Sequence, residues 1–279
     1  MEKIVVSNEF FNIRDTLDCG QIFRYTPQNA GYLVVSSSNA CIVEEGDGEY
    51  AIQTDSKEYF EDYFDLKRDY GKIYESAKGH GNQFLSKAAD SGKGIRILRQ
   101  DSEEMLFSFI VSQNNNIPRI KGIIERLCAS LGIRRTIGGF DYFTFPKAAQ
   151  IAQKSEDFYK SIGLGYRASY FPAVADALLN GFDLNAVATL STPDLKKELV
   201  KLKGVGPKVA DCVALFGFGR ADSFPVDTWI EKLYREDFGG KLTDRNAITQ
   251  FFLDEFKENA GYFQQYMFHY KRNVLKDEK

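Results

Sequence analysis

Along the first part of the chain, hydrophobic and polar positions change in short runs. Apolar or alternating stretches recur at Lys3–Val6, Phe10–Ile13, Ile22–Tyr25, Tyr32–Ser36, Ala40–Glu45 and Tyr50–Thr54. Turn-type segments separate several of them, at Pro27–Gly31, Ser37–Asn39 and Gly46–Gly48. Short runs bounded by turn residues predict strands, and their spacing fits an antiparallel sheet. A helical pattern follows from about Lys57. After Gly94 the whole chain reads as α, with helical spacing in Met105–Val111, Ile120–Leu131, Tyr170–Leu179, Leu195–Leu202, Val209–Phe216 and Phe251–Phe256. Thr192-Pro193-Asp194 reads as a helix start with Thr192 as N-cap and Ser191 as the competing cap. The expected fold class is α+β. An antiparallel sheet domain with helices, residues 1–94, packs on a mainly helical body, residues 95–279, with Gly92–Gly94 as the seam. No internal repeat or low-complexity segment interrupts this plan.

Composition narrows the class. The chain has 279 residues, 43% hydrophobic and 14% aromatic, enough for a real core and too apolar for a disordered chain. No run of 18 apolar residues predicts a membrane span. Met1–Phe10 is too charged for a signal peptide. Cys19, Cys41, Cys128 and Cys212 lie far apart without a CxxC pair, which predicts reduced thiols inside a cell and no zinc or iron–sulfur site. The net charge of −3 does not suggest nucleic acid. Its distribution is more informative, because residues 192–220 carry six basic groups against three acidic ones. A solvated helix face would show a similar balance.

The most informative segment is Leu195–Asp227. An amphipathic helix reads through to Lys203, stops at Gly204-Val205-Gly206-Pro207, and a second helix begins. Two glycines permit a tight turn with positive φ, and Pro207 suits a first helical turn. This is a helix-hairpin-helix at about residues 192–218, whose bare backbone N–H groups at Gly204, Val205 and Gly206 predict a DNA phosphate clamp. Lys208 sits in the first turn of the second helix, where the dipole disfavours a cation. The dipole and nearby cations should lower its pKa and free some amine for attack. A simple phosphate contact explains its position equally well. Asp227, in Pro225-Val226-Asp227-Thr228, reads as a helix N-cap. It also reads as a carboxylate facing positive charge on a sugar, and the two roles are compatible.

The hairpin with Pro225-Val226-Asp227 resembles the helix-hairpin-helix DNA glycosylase superfamily. Leu17–Arg24, Leu98–Asp101, Phe107–Ile110, Ser112–Arg119 and Leu164–Ala168 extend the resemblance to the 8-oxoguanine DNA glycosylase/AP lyase family, in order from about residue 10 to 270. That resemblance implies an intracellular, monomeric base-excision repair enzyme acting on duplex DNA, without cofactor or metal. It would excise 8-oxoguanine opposite cytosine through a lysine Schiff base and then cut the strand by β-elimination. It makes Lys208 the Schiff-base lysine and Asp227 the catalytic aspartate. Gly20 would accept the lesion's N7–H through its carbonyl. Cys212 and Phe268 would sandwich the flipped base, and Gln264 would read its Watson–Crick edge. Asn114, Arg119 and Arg167 would bond the orphaned cytosine, with Tyr166 as the wedge. Trp229 departs from the pattern, since eukaryotic members usually place a histidine there near a phosphate. Alternative readings are a non-catalytic hairpin DNA-binding protein and a glycosylase for another base. The absence of any cysteine after Cys212 counts against the branches with a C-terminal iron–sulfur loop.

Overall fold

The structure, a computed structural model, describes residues 1–274. An antiparallel sheet forms first, from β1 (Glu2–Ser7), β2 (Tyr25–Gln28), β3 (Gly31–Ser36), β4 (Asn39–Glu45) and β5 (Glu49–Thr54), in the order β1-β5-β4-β3-β2. Alternation along the strands gives the sheet two apolar faces. Ile4, Val34, Cys41, Val43 and Ile52 pack on Phe11, Phe60 and Phe64 on one side. Leu33, Val35, Ala40 and Ile42 face the other way, onto Ile137, Phe140 and Tyr142.

Two of the expected strands are something else. Phe10–Asn12 leads into helix α1 (Ile13–Asp18), where the Asn12 side chain accepts from Asp15 N. Ile22–Arg24 is irregular and enters β2 only at Tyr25. Its residues are buried without alternation because they serve two cores: Ile22 belongs to the sheet's and Phe23 to the helical body's. Conversely, the body is not wholly helical. Arg134–Ile137 (β6) and Phe140–Phe143 (β7) form a hairpin closed by Gly138 and Gly139, with φ of +53° and +85°. Paired positive φ is what a tight two-residue β-turn demands. This hairpin supplies the cover for the outer face of the sheet.

The helices continue as α2 (Lys57–Tyr63), α3 (Tyr70–Gly79), α4 (Gln83–Ser91), α5 (Ser102–Ser112), α6 (Ile117–Leu131), α7 (Ala148–Ile151), α8 (Glu156–Ser161) and α9 (Tyr170–Leu179). After them come α10 (Leu184–Ala188), α11 (Thr192–Val200), α12 (Pro207–Gly217), α13 (Thr228–Asp237), α14 (Arg245–Phe256) and α15 (Ala260–His269). α5 is the axle: residues 104–111 are all buried, and it packs along α12. α3 and α4 share the core of the body, with α4 lying on α15.

Sheet and body are joined by polar contacts from the irregular stretch. Arg24 reaches Glu104 at 3.4 Å, both nearly inaccessible, and Glu104 also accepts from Ser37 N at 2.5 Å. Burial raises the Glu104 carboxyl, against the pull of Arg24. Gln21 is fully buried; its Nε2 donates to the Arg96 carbonyl at 2.6 Å and its Oε1 accepts from Leu98 N at 2.8 Å. Gln100 Nε2 donates to the Gln21 carbonyl at 2.8 Å. Two of the quoted sequence motifs, Leu17–Arg24 and Leu98–Asp101, therefore bind each other.

Candidate active site

The hairpin is built on one left-handed glycine. Gly204 has φ +82°, and a Cβ there would lie 2.3 Å from the Tyr170 ring, so both backbone and space require glycine. Gly206 is not left-handed; at φ −92° it is the N-cap of α12. Pro207 is the first helical residue, and no side chain caps α12, which leaves its first N–H groups available to an anion. Val205 is not among the bare groups expected, because its N–H donates to the Leu202 carbonyl at 3.1 Å to close the turn. The preceding helix starts and stops differently from the expectation. Ser191 is the cap and accepts from Asp194 N at 3.4 Å, while the Thr192 hydroxyl turns to Asp222 at 2.8 Å. α11 ends at Val200, not Lys203, and a tighter turn carries the chain to Gly204.

Several hairpin cations have partners inside the fold. Lys197 pairs with Asp194 at 3.0 Å, Lys201 with Glu198 at 2.6 Å, and Lys196 with buried Asp211 at 2.8 Å. The Lys196–Asp211 bridge ties α11 to α12. Half of the six local cations thus form a paired face, and the uncapped helix end is the stronger phosphate feature.

A cavity of about 570 Å3 opens beside the hairpin, with Gly20, Phe109, Asn114, Lys208, Asp227 and Phe268 on its wall. Lys208 is half-buried, with its Nζ 5.5 Å from the centre of the Phe109 ring. Asp227 is the N-cap of α13, and its Oδ1 accepts from both Trp229 N and Ile230 N at 3.0 Å. The capping role and the cavity position coincide, so the helix end fixes the carboxylate where it faces the cavity. Cys212, one turn beyond Lys208, is buried; its thiol is pushed up to about 11 by desolvation, with the Lys208 charge pulling the other way. It is a neutral thiol behind the wall.

Gly20 has φ +87°, and a Cβ there would meet Arg272 Nη1 at 3.2 Å and the Phe268 ring at 3.4 Å. Gly20 and Phe268 are therefore neighbours on one wall. Gln264 stands behind that wall, 5% exposed; its Nε2 donates to the Pro225 carbonyl at 3.4 Å and its Oε1 has no partner among the described residues. A buried acceptor without a donor is costly unless a ligand completes it.

Asn114, Tyr166 and Arg167 meet at the rim. Asn116, not Asn114, caps α6 by accepting from Arg119 N at 3.0 Å. Asn114 is free of that duty; it holds φ +45°, and its Nδ2 donates to the Tyr166 hydroxyl at 3.3 Å. Tyr166 is 53% exposed. Arg167 stacks on the Tyr166 ring at 4.4 Å, yet it is 3% exposed. Its guanidinium turns inwards, donating to Leu164 O at 3.2 Å, Asn114 O at 3.1 Å and the Gln113 carbonyl. Arg119 is exposed, with Nη2 3.4 Å from the Gly163 carbonyl. Trp229 is half-buried on α13.

Residue type alone did not single out some of the wall. Gln113 Nε2 donates to the Gly204 carbonyl at 2.9 Å and so couples the hairpin to the rim. Gln265 reaches the Cys19 carbonyl at 2.7 Å. Arg245, Asn246 and Thr249 of α14 line the cavity beside Asp227. The only signal for Gln113 was its place inside Ser112–Arg119.

Comparison with known proteins agrees along the chain. Residues 3–106 match the 8-oxoguanine DNA glycosylase N-terminal domain, and residues 107–258 match the HhH-GPD superfamily of base excision DNA repair proteins. A probable N-glycosylase/DNA lyase of Methanothermobacter thermautotrophicus is 31% identical over 242 residues, 79% of this chain and 77% of that protein. An N-glycosylase/DNA lyase of Arabidopsis thaliana is 34% identical over 189 residues, 63% of this chain and 52% of that one. The 8-oxoguanine glycosylase/lyase of Clostridium acetobutylicum, solved with double-stranded DNA containing cytosine opposite 8-oxoguanine, superposes with a TM-score of 0.91 at 33% identity, over 99% of this chain and 96% of that one. Sheet domain, hairpin and cavity together place the chain in the 8-oxoguanine DNA glycosylase family, within the helix-hairpin-helix superfamily of base-excision repair proteins.

Proposed function

We propose that this protein excises 8-oxoguanine opposite cytosine from duplex DNA and then nicks the abasic strand. The observation that carries the reading is that Lys208 and Asp227 share one cavity whose further wall is Gly20 and Phe268. The neutral Lys208 amine attacks C1′, the bond from C1′ to the base breaks, and the base leaves with the proton that the attacking nitrogen gives up. Asp227, held by its cap bonds, stabilises the positive charge that builds on the sugar. Ring opening, with O4′ taking a proton from water, gives a protonated Schiff base on Lys208. Loss of a C2′ proton then expels the 3′ phosphate by β-elimination.

The base would stack on Phe268 with its N7 edge towards the Gly20 carbonyl. 8-Oxoguanine carries an N7–H there, whereas guanine presents a lone pair that the carbonyl repels. The unpartnered Gln264 oxygen suits the donors on a guanine-type Watson–Crick edge. On the other strand, Asn114, Arg119 and Arg167 offer donors to cytosine, and Tyr166 fills the gap. The relative from Clostridium acetobutylicum, solved with that base pair, supports the choice of lesion and partner.

Borohydride trapping tests the core of the reading. The wild-type chain should become covalently attached to an 8-oxoguanine:cytosine duplex, and Lys208→Gln should abolish the adduct. Strand cleavage without any trapped wild-type adduct would sink the Schiff-base mechanism.

A further inference from the structure

Two consecutive buried glutamines of α15 reach opposite parts of the site. Gln264 holds the Pro225 carbonyl, two residues before Asp227. Gln265 holds the Cys19 carbonyl at 2.7 Å, one residue before Gly20. The first has a place in base recognition. The second has none so far, although it is 2% exposed and spans 246 residues of sequence.

The Cys19 carbonyl and the Gly20 N–H belong to one planar peptide unit. Clamping that unit restricts φ of Gly20, which stands at +87°. On the other side of Gly20, Gln21 is immobilised through Arg96, Leu98 and Gln100. Gly20 is therefore a pivot between two fixed neighbours, and glycine's freedom at that pivot is what the clamps remove. Its own carbonyl is the group assigned above to the lesion's N7–H.

We infer that Gln265 is a specificity-determining positioning residue, which aims the Gly20 carbonyl at the N7 edge of the flipped base by clamping the Cys19 peptide. The inference rests on the proposed excision of 8-oxoguanine. Without the clamp the Gly20 carbonyl turns away from the base. The lesion then loses its distinguishing acceptor, and guanine loses its repulsion. Chemistry at Lys208 is left intact, because Gln265 does not line the cavity that holds the amine.

The test uses the full-length chain and two variants. Gln265→Met keeps the shape and removes the donor. Gln265→Glu keeps the length and, while protonated, supplies an O–H donor to the same carbonyl. In Q265M, kcat/KM on an 8-oxoguanine:cytosine duplex should fall about 10- to 100-fold, the loss of one buried hydrogen bond to a reading group. The preference for 8-oxoguanine over guanine should fall with it. Cleavage at a preformed abasic site, where no base is read, should change by less than about threefold. Q265E should excise well at low pH and lose activity relative to wild type as pH rises and its carboxyl ionises. A Q265M that keeps wild-type lesion preference overturns the inference, as does one that loses excision and abasic cleavage in equal measure. If Q265M does not fold, the Q265E profile decides: a ratio to wild type that stays flat with pH overturns it. A wild-type chain that cuts abasic DNA but ignores 8-oxoguanine would instead overturn the proposed function, and this inference with it.

Discussion

The two sides of the cavity are built from different material. The wall is the half-buried pair Gly20 and Phe268, packed on each other and backed by the buried amides of Gln264 and Gln265, each bonded to a carbonyl on another element. The rim joins the Asn114 loop to a short 3-10 helix (Gly165–Ser169), with the Tyr166 ring half in solvent and Arg167 turned inward onto the carbonyls of Leu164, Asn114 and Gln113. The wall is bonded in place, and under the proposed function the rim would have to rearrange. For the proposed contact to an orphaned base, Arg167 would exchange its bonds to Leu164, Asn114 and Gln113 for bonds to DNA. Such an exchange is affordable only when the new partner offers matching acceptors, so an inward arginine adds selectivity to the contact it eventually makes.

Substitutions can break or sharpen that contrast. The largest effect is expected where the wall is anchored. Glu104→Ala leaves Arg24 buried without its carboxylate and should cost about 3–5 kcal/mol in urea unfolding. A loss below about 1 kcal/mol would mean the anchor is solvated and the wall less rigid than drawn. Asp227→Asn, where wall and hairpin converge, should lower turnover about 10²- to 10³-fold with DNA binding retained. Unchanged turnover would reduce Asp227 to its cap. Gly20→Ala places a Cβ at φ +87° against Arg272 and Phe268, with a strain of about 1–2 kcal/mol. It should lower lesion excision roughly tenfold or more in single-turnover assays, with smaller effect on abasic cleavage. Equal loss of both would show that the turn supports the fold instead of reading the base.

On the rim, Arg167→Ala should flatten the rates measured opposite C, A, G and T. A profile as steep as wild type would assign the arginine to loop bracing alone. The smallest effect concerns pH. Burial holds the His269 imidazole below its ordinary 6.5, against the opposing pull of Asp15. The unfolded chain therefore binds a proton near pH 6.5 that the folded one refuses. Stability is full above that pH and drains as pH falls through the folded value. Melting curves from pH 7.5 to 5.5 should show a decline that His269→Asn shallows; parallel curves would refute it.

How much of this was legible differs between the same two sides. Lys208 and Asp227 stood out because helix-start chemistry is local: a proline after glycine, and an aspartate at a cap. Helical spacing marked Tyr170–Leu179 to the residue. Gly138-Gly139 also carried a local signal, a paired-glycine turn that a helical reading of the body passed over. Gln21 and Gln113 carried only their place in the motifs Leu17–Arg24 and Ser112–Arg119, and Gln265 carried nothing. A glutamine looks like a surface residue until its partner is known, and these partners lie 75, 91 and 246 residues away. The inward turn of Arg167 was equally invisible, since its acceptors are main-chain carbonyls that any sequence supplies.

The stretch Ile22–Arg24 has a consequence for how such enzymes change over time. It threads between two cores while belonging wholly to neither, and the cavity-lining turn at Gly20 lies directly before its front end. The sheet domain carries neither Lys208 nor Asp227, yet under the proposed function it holds one end of the strap that reads the lesion. On that reading, drift in the sheet's packing would reach substrate choice before it reached chemistry. A lineage that reshaped this domain would be expected to alter which base it removes while keeping the way it removes it.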